Sequence, residues 1–213
     1  MKIALIGYGK MGKAVKELSQ KSGHTCVVGL DPSADVSIDF SSGEGVKKTA
    51  LSIQTPWVLG TTGWSREEVL SIAQERNLHL LYAPNFSFGV ALFRRMAKIG
   101  KTLLKGFELE GCEIHHEEKK DAPSGTALKL MEEISGLTFT SVRQGKELGT
   151  HQLLFKGSDE EIELTHRAKD RTLFAQGALL GAKWLLGKER GIYTFDDLIE
   201  EEFPCPLEKS LQH

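Results

Sequence analysis

The sequence predicts an α/β fold built on a parallel sheet, followed by a second, α+β unit. Two observations carry this. Up to about residue 86, short apolar runs alternate with stretches of helical periodicity, as strands buried on both faces of a parallel sheet do when helices connect them. After that point several strand-like runs follow one another with few helices between them.

The elements follow in order. Ile3–Ile6 is a continuous apolar run ending at Gly7. Met11, Ala14, Val15 and Leu18 then recur at i, i+3, i+4, i+7, one apolar stripe of a helix, and Gly23 closes it. Cys26–Leu30 and Val36–Phe40 are the next two strands, and a Ser-Ser-Gly turn leads to a helix from about Glu44. Pro56–Leu59 runs into Gly60-Thr61-Thr62-Gly63. Ser65 caps a helix with acidic Glu67 and Glu68 in its first turn, continued by Val69, Ile72 and Ala73. Leu78–Tyr82 is a strand ending at Ala83-Pro84-Asn85. A long helix carries Leu92, Met96, Ile99 and Leu103 in register, and Phe107–His116 is a strand. Ala127, Leu128, Met131 and Ile134 mark a helix after the loop Asp121–Gly125. Strands follow at Leu137–Val142, Gln152–Phe155 and Ile162–Thr165. Phe174, Ala178, Ala182 and Leu185 mark the last long helix, and the tail Pro204–His213 lacks periodicity, which predicts disorder. One link is short: Pro32–Asp35 reaches at most ~14 Å. Either the second strand ends early, near Gly29, or the return path is unusually direct.

Composition narrows the function classes. The 213 residues carry 27 Lys and Arg against 29 Asp and Glu, a net charge of −2, with 40% hydrophobic residues. That excludes disorder as the main state and argues against a nucleic-acid binder, which needs clustered surplus cations. Cys26, Cys112 and Cys205 are scattered and form no CxxC, as expected in a reducing compartment. With no apolar stretch approaching ~20 residues and no signal-peptide pattern, the expectation is a cytoplasmic protein without membrane contact.

Gly7-Tyr8-Gly9-Lys10-Met11-Gly12 follows a strand and opens a helix. The first glycine permits the turn, the second lets backbone amides approach a pyrophosphate, and the third lets helix and strand pack closely. Asp31 lies at the end of the next strand, where a carboxylate binds the adenosine ribose. These features predict a Rossmann-type dinucleotide-binding domain. A carboxylate there would repel a 2′-phosphate, so NADH is expected over NADPH. Gly60-Thr61-Thr62 and Ala83-Pro84-Asn85-Phe86 also follow strands. Their hydroxyls and amide can meet a nicotinamide or serve ordinary turns.

The densest polar stretch is Glu113–Ala127, EIHHEEKKDAPSGTA. His115 or His116 can act as a general acid near neutral pH, and Lys119 can hold an anion or pass a proton. Ser124, Gly125 and Thr126 open a helix whose first amides, with the two hydroxyls, make an anion site. Neighbouring histidines on a strand point to opposite faces, so His115 and His116 are not expected to hold one metal ion. The plain alternative is a solvated charged loop closed by a helix cap. His166–Arg171 is a second polar cluster, an anion contact or a set of exposed charges before the last helix.

The run HHxxKxDAPSGTAL over His115–Leu128 resembles the signature of the dihydrodipicolinate (4-hydroxy-tetrahydrodipicolinate) reductases. The resemblance extends over about residues 1–200, through Gly7–Gly12, Ile38–Ser41, Gly60–Gly63, Ala83–Ser87, Gly149–His151 and His166–Ala178. It implies an oxidoreductase of lysine and diaminopimelate synthesis that uses NADH or NADPH on a small dicarboxylate. By it, His115 and Lys119 would be catalytic. His116, Gly125 and Thr126 would bind substrate, joined by Ser124 of the anion site read from the helix start. Gly7, Tyr8, Gly9, Lys10, Met11, Gly12, Asp31, Gly60, Thr61, Thr62, Ala83, Pro84, Asn85 and Phe86 would bind cofactor. It implies a dinucleotide-binding domain over 1–86 and 172–213, a mixed-sheet substrate and oligomerisation domain over 87–171, and a homotetramer. The short stretch after Asp31 departs from the family pattern. Two other classes remain: another Rossmann reductase of a small anion, and a non-catalytic NAD(H) sensor.

Overall fold

The computed structural model describes residues 1–204; the expected disorder of the tail therefore falls, beyond Pro204, outside the described residues. The described chain forms two compact units, Met1–Ser87 with Arg171–Phe203, and Phe88–Asp170. No helix among the described residues is long and apolar enough to cross a membrane.

The first unit runs β1 (Lys2–Ile6), α1 (Lys10–Lys21), β2 (Thr25–Val28), β3 (Val36–Asp39), α2 (Gly43–Ser52), β4 (Trp57–Leu59), α3 (Arg66–Glu75) and β5 (Leu80–Tyr82). It resumes after the second unit with α6 (Thr172–Leu186), β10 (Ile192–Thr194) and α7 (Phe195–Glu202). All six strands are parallel, in the order β10-β5-β4-β3-β1-β2. Strand alternation sorts the helices between the two faces. Trp57 and Leu59 of β4, with Leu80 and Tyr82 of β5, meet Val46 and Ala50 of α2 and Val69 and Ala73 of α3. Leu81 points the other way, against α6, where a Cβ on Gly181 would come within 2.6 Å of it. Small residues therefore let α6 lie close to the sheet, with α1 beside it. β10 and α7 lie beyond the last helix that periodicity picks out. A capping box, Thr194 with Asp197, starts α7.

The short link resolves as an early strand end. β2 stops at Val28, Gly29 turns at φ 99°, and residues 29–35 return to the start of β1, where the Asp35 amide donates to the Lys2 carbonyl at 2.9 Å. The path crosses from one side of β1 to the other, about 10 Å sideways and about 13 Å back. Seven residues span up to about 23 Å, enough without a helix.

The second unit runs α4 (Phe88–Leu103), β6 (Glu108–His115), α5 (Gly125–Glu133), β7 (Thr138–Arg143), β8 (Thr150–Lys156) and β9 (Glu161–Arg167). Its sheet is mixed, in the order β7-β6-β8-β9. β6 and β7 are parallel across α5, and β8 runs antiparallel to both β6 and β9. One face packs on α4 and α5 through Phe93, Ala97, Leu109, Leu130, Ile134, Leu153 and Phe155. Burying side chains such as Leu130, Leu153 and Phe155 is worth about 1.5–3 kcal/mol each. This α/β architecture with a second, mixed sheet is the predicted fold class.

Candidate active site

The covered face of the second sheet changes character within one pleat. Phe139, Gly111, Leu153 and Leu164 lie in one cross-strand row; in the next lie Ser141, Glu113, His151 and His166. Arg143 and His115 pair in the row beyond. Period-two alternation puts Glu113 and His115 on the same face of β6, and the register brings His151 beside them.

Glu113 is wholly buried. Its carboxylate accepts from the Ser124 amide at 2.9 and 3.0 Å, from the Ser141 hydroxyl at 2.8 Å and from the Arg143 guanidinium at 3.1 Å. Burial opposes its charge, but these hydrogen bonds outweigh it and hold the carboxyl below its ordinary pKa. His115 Nδ1 lies 3.6 Å and His151 Nε2 3.7 Å from the same carboxylate. The two imidazoles sit edge to face, with centroids 5.2 Å apart. Burial pushes the His115 pKa down, with Glu113 opposing, and pushes that of His151 down to about 3.

Ser124 joins this cluster to α5. Its hydroxyl lies 3.1 Å from His151 Nε2 and accepts from the Ala127 amide, capping the helix. Gly125 opens the helix, and a Cβ there would meet nothing within 4 Å. Thr126 is half-buried beside it. Arg143 also donates to the carbonyls of Lys119 and Asp121, tying that loop to Glu113. Lys119 Nζ pairs with the Asp121 carboxylate at 2.7 and 2.8 Å. His116 follows β6, half-buried, its carbonyl accepting from the Lys119 amide.

Glu113, His115 and His151 offer ligand atoms within 4.8 Å of one another. The Glu113 carboxylate, however, already holds an amide, a hydroxyl and a guanidinium, and the guanidinium would repel a dication. The donor set is thus a hydrogen-bond hub.

In the first unit, the Gly7–Gly12 turn follows β1, Gly60–Thr62 follows β4 and Ala83–Phe86 follows β5, so all three loops lie at the carboxyl edge of the parallel sheet. The change of strand order falls between β1 and β3, where ligands sit in such sheets. Gly7 has φ 87°, and a Cβ on it would lie 2.5 Å from the Phe40 carbonyl oxygen. A Cβ on Gly12 would come within 2.2 Å of the Gly7 carbonyl oxygen, whereas one on Gly9 would meet nothing within 4 Å. The protein itself therefore requires Gly7 and Gly12, while Gly9 leaves a cradle open to a ligand. Tyr8 and Lys10 are exposed and Met11 half-buried. The Thr61 hydroxyl donates to Asp39 Oδ1 at 3.0 Å, and the Ser87 amide to Asn85 Oδ1 at 2.8 Å. Ala83 and Phe86 are buried, and Thr62 and Pro84 exposed.

Asp31 is not brought to this edge. Its carboxylate lies 2.7 Å from Lys2 Nζ, and the Ser33 amide and hydroxyl donate to it at 2.9 and 2.7 Å. Hydrogen bonds from Lys2 and Ser33 hold its pKa down to about 2. Lys2 opens β1 and Gly7 follows its last residue, so the length of the strand, about 16 Å, separates them. The early end of β2 and the return link draw Asp31 away from the ribose position, and the charge argument for NADH loses its footing.

Glu113 and His115 were findable from their i, i+2 spacing on one strand. Ser141, Arg143 and His151 join them only through strand register, which single-strand patterns do not disclose.

Two family models match the chain: "Dihydrodipicolinate reductase, C-terminus" over residues 89–199 and "Dihydrodipicolinate reductase, N-terminus" over residues 28–86. The 4-hydroxy-tetrahydrodipicolinate reductase of Staphylococcus carnosus is 33% identical over 241 residues, covering 93% of this chain and 99% of that protein. The enzyme of that name from Thermosipho africanus is 33% identical over 216 residues, covering 95% of this chain and 100% of that protein. Among solved structures, a dipicolinate-bound dihydrodipicolinate reductase from Paenisporosarcina shares the fold. Its TM-score is 0.72 at 22% identity, covering 91% of this chain and 97% of that one. The matched models and these full-length relatives place the chain in the dihydrodipicolinate reductase family.

Proposed function

We propose that this protein reduces 4-hydroxy-tetrahydrodipicolinate to tetrahydrodipicolinate, with loss of water, in lysine and diaminopimelate biosynthesis. The observation that carries the reading is the convergence of His115, the Lys119 loop and the α5 start on Glu113. Family membership supplies the substrate. A sensor of NAD(H) would need the glycine turn but not a buried imidazole beside a held lysine loop and an anion-binding helix start.

In this reading the first unit binds a nicotinamide cofactor, and Gly9, open to a ligand, fits it. Gly7–Gly12 cradle its pyrophosphate, while Gly60–Thr62 and Ala83–Phe86 serve the nicotinamide side. When bound, the cofactor supplies the hydride that reaches C4 of the substrate ring. The second unit binds the dicarboxylate: the first amides of α5 at Gly125 and Thr126, the Ser124 and Thr126 side chains, His116 and Lys119 hold its anionic groups. Loss of the 4-hydroxyl as water leaves a conjugated imine; hydride at C4 turns it into an enamine, and His115, with Lys119, delivers the proton to the enamine carbon C3.

A cytoplasmic location is in keeping with the free thiols of Cys26 and Cys112. We also infer a homotetramer, assembled on the sheet face opposite α4 and α5, where Cys112, Ile114, Val142 and Leu154 lie. Light scattering should then give about four times the 23.5 kDa chain mass.

The test is oxidation of NADH and of NADPH, coupled to a synthase that makes the unstable substrate. The expected result is consumption of reduced cofactor only when substrate is supplied, abolished in Lys119→Ala. Cofactor binding without turnover would favour the sensor, and turnover of a different small anion would favour another reductase.

A further inference from the structure

Resting on the reading above, we propose that Glu113 is a positioning residue for the reaction: its fixed negative charge locks the anion-binding start of α5 and sets the proton affinity of His115. It need touch neither substrate nor cofactor.

The geometry assigns it both tasks at once. Both carboxylate oxygens are taken by one backbone amide, that of Ser124, at 2.9 and 3.0 Å. Ser124 directly precedes Gly125 and Thr126, so this bidentate grip fixes where the first amides of the helix point. A neutral group could accept from that amide. A charge is called for by the third element of the hub, the Arg143 guanidinium, which crosses from β7 at 3.1 Å and also holds the carbonyls of Lys119 and Asp121. The same carboxylate faces His115 Nδ1 at 3.6 Å, a nitrogen that is buried with no hydrogen-bond partner. An anion on the Nδ1 side favours the proton on that ring and leaves Nε2 for a ligand.

Every charged neighbour of His115 belongs to this balance. Glu113 on β6 and Asp121 in the following loop favour the imidazolium, whereas Lys119 in that loop and Arg143 on β7 disfavour it. His151 on β8 sits against the ring but, held neutral by burial, adds little charge near pH 7. The signs of two opposed charges, one on β6 and one on β7, can therefore be tested separately. Glu113→Gln keeps the shape and an acceptor for the Ser124 amide while removing the charge. Arg143→Gln removes the opposing charge.

The first measurement is the titration of the His115 imidazole by NMR in the free protein, which does not depend on turnover. Removing a charge this close moves a pKa by roughly one unit. Glu113→Gln should lower the His115 value by that amount and Arg143→Gln should raise it. Loss of fold in either variant moves histidines toward one common unperturbed value and cannot produce opposite shifts. The second is steady-state kinetics of the assay above. Glu113→Gln should lower kcat by about 10-fold or more, shift the basic limb of its pH profile to lower pH, and leave the dissociation constant for NADH or NADPH unchanged. Parallel shifts, or none, in the two variants would overturn the proposal. If the opposite shifts appear but the natural protein does not turn over the substrate, it is the assigned reaction that fails and the role of Glu113 in setting His115 stands.

Discussion

At the scale of single residues, the decisive feature is a histidine whose environment pulls it two ways. Burial and the cations Lys119 and Arg143 lower the His115 pKa, while Glu113 and Asp121 raise it, and the net shift is downward. To serve as the proton donor of the proposed reaction, a histidine with a lowered pKa must gain its proton as substrate arrives. A dicarboxylate held as proposed would do this by adding negative charge beside Lys119 and the α5 start. The basic limb of kcat, which reports the complex, should therefore lie at higher pH than that of kcat/KM, which reports the free enzyme. Coincident limbs would show that the acid is another group. His115→Ala should lower kcat by ~10²–10⁴-fold with a much smaller change in KM. An effect confined to KM would make His115 a binding residue only.

At the scale of elements, the glycine turn separates what the protein needs from what a ligand needs. Gly9→Ala should leave the melting temperature nearly unchanged and weaken cofactor binding, because its Cβ meets open space. Gly12→Ala should destabilise the first unit by about 2–3 kcal/mol, because its Cβ would press on the Gly7 carbonyl oxygen. Thermal melts with and without cofactor distinguish them; equal destabilisation by both would mean that Gly9 serves packing rather than a ligand. This turn was legible in the sequence because its chemistry is local: strand, three glycines and helix follow one another. The same holds for the Ser124 cap and the alternation of Glu113 with His115. What depended on pairing was hidden. Nothing in the run Thr138–Arg143 announces that Ser141 and Arg143 lie beside Glu113, since register sets that. Asp31 shows the opposite failure. Its distance from the glycines fits a ribose contact, but the strand before it ends at Val28 and the seven-residue return carries it to Lys2. β10 and α7 escaped periodicity because a three-residue strand and an eight-residue helix are too short to show a period.

At the scale of the whole molecule, histidines with lowered pKa values tie stability to pH. His115, His151 and His166 all have pKa values lowered first by burial, and His151 is pushed down to about 3 from an ordinary 6.5. The sign follows from linkage. Below about pH 6.5 the unfolded chain takes up protons that the folded chain refuses, so stability falls as pH falls. For His151 the window runs from about 6.5 down to about 3, and by pH 5 it amounts to roughly 2 kcal/mol, at about 1.4 kcal/mol per pH unit. His115 and His166 add to it with the same sign. The carboxylates act in a separate window. Glu113 and Asp31 have lowered values, so their contributions are present near neutrality and are lost only as pH falls below the unfolded values of about 4.5 and 3.8. Between pH 6.5 and pH 5 the histidines lower the stability, and Asp39, its pKa raised by burial, acts with the opposite sign. Urea denaturation at pH 7, 6 and 5 should show a falling midpoint. His151→Gln, which replaces the titrating ring with a neutral polar group beside Ser124, should flatten that fall even if it lowers the stability at pH 7. An equal slope in the natural protein and in His151→Gln would mean that this ring takes up its proton in the folded state. The neutral pair of imidazoles behind the α5 start would then no longer describe the site.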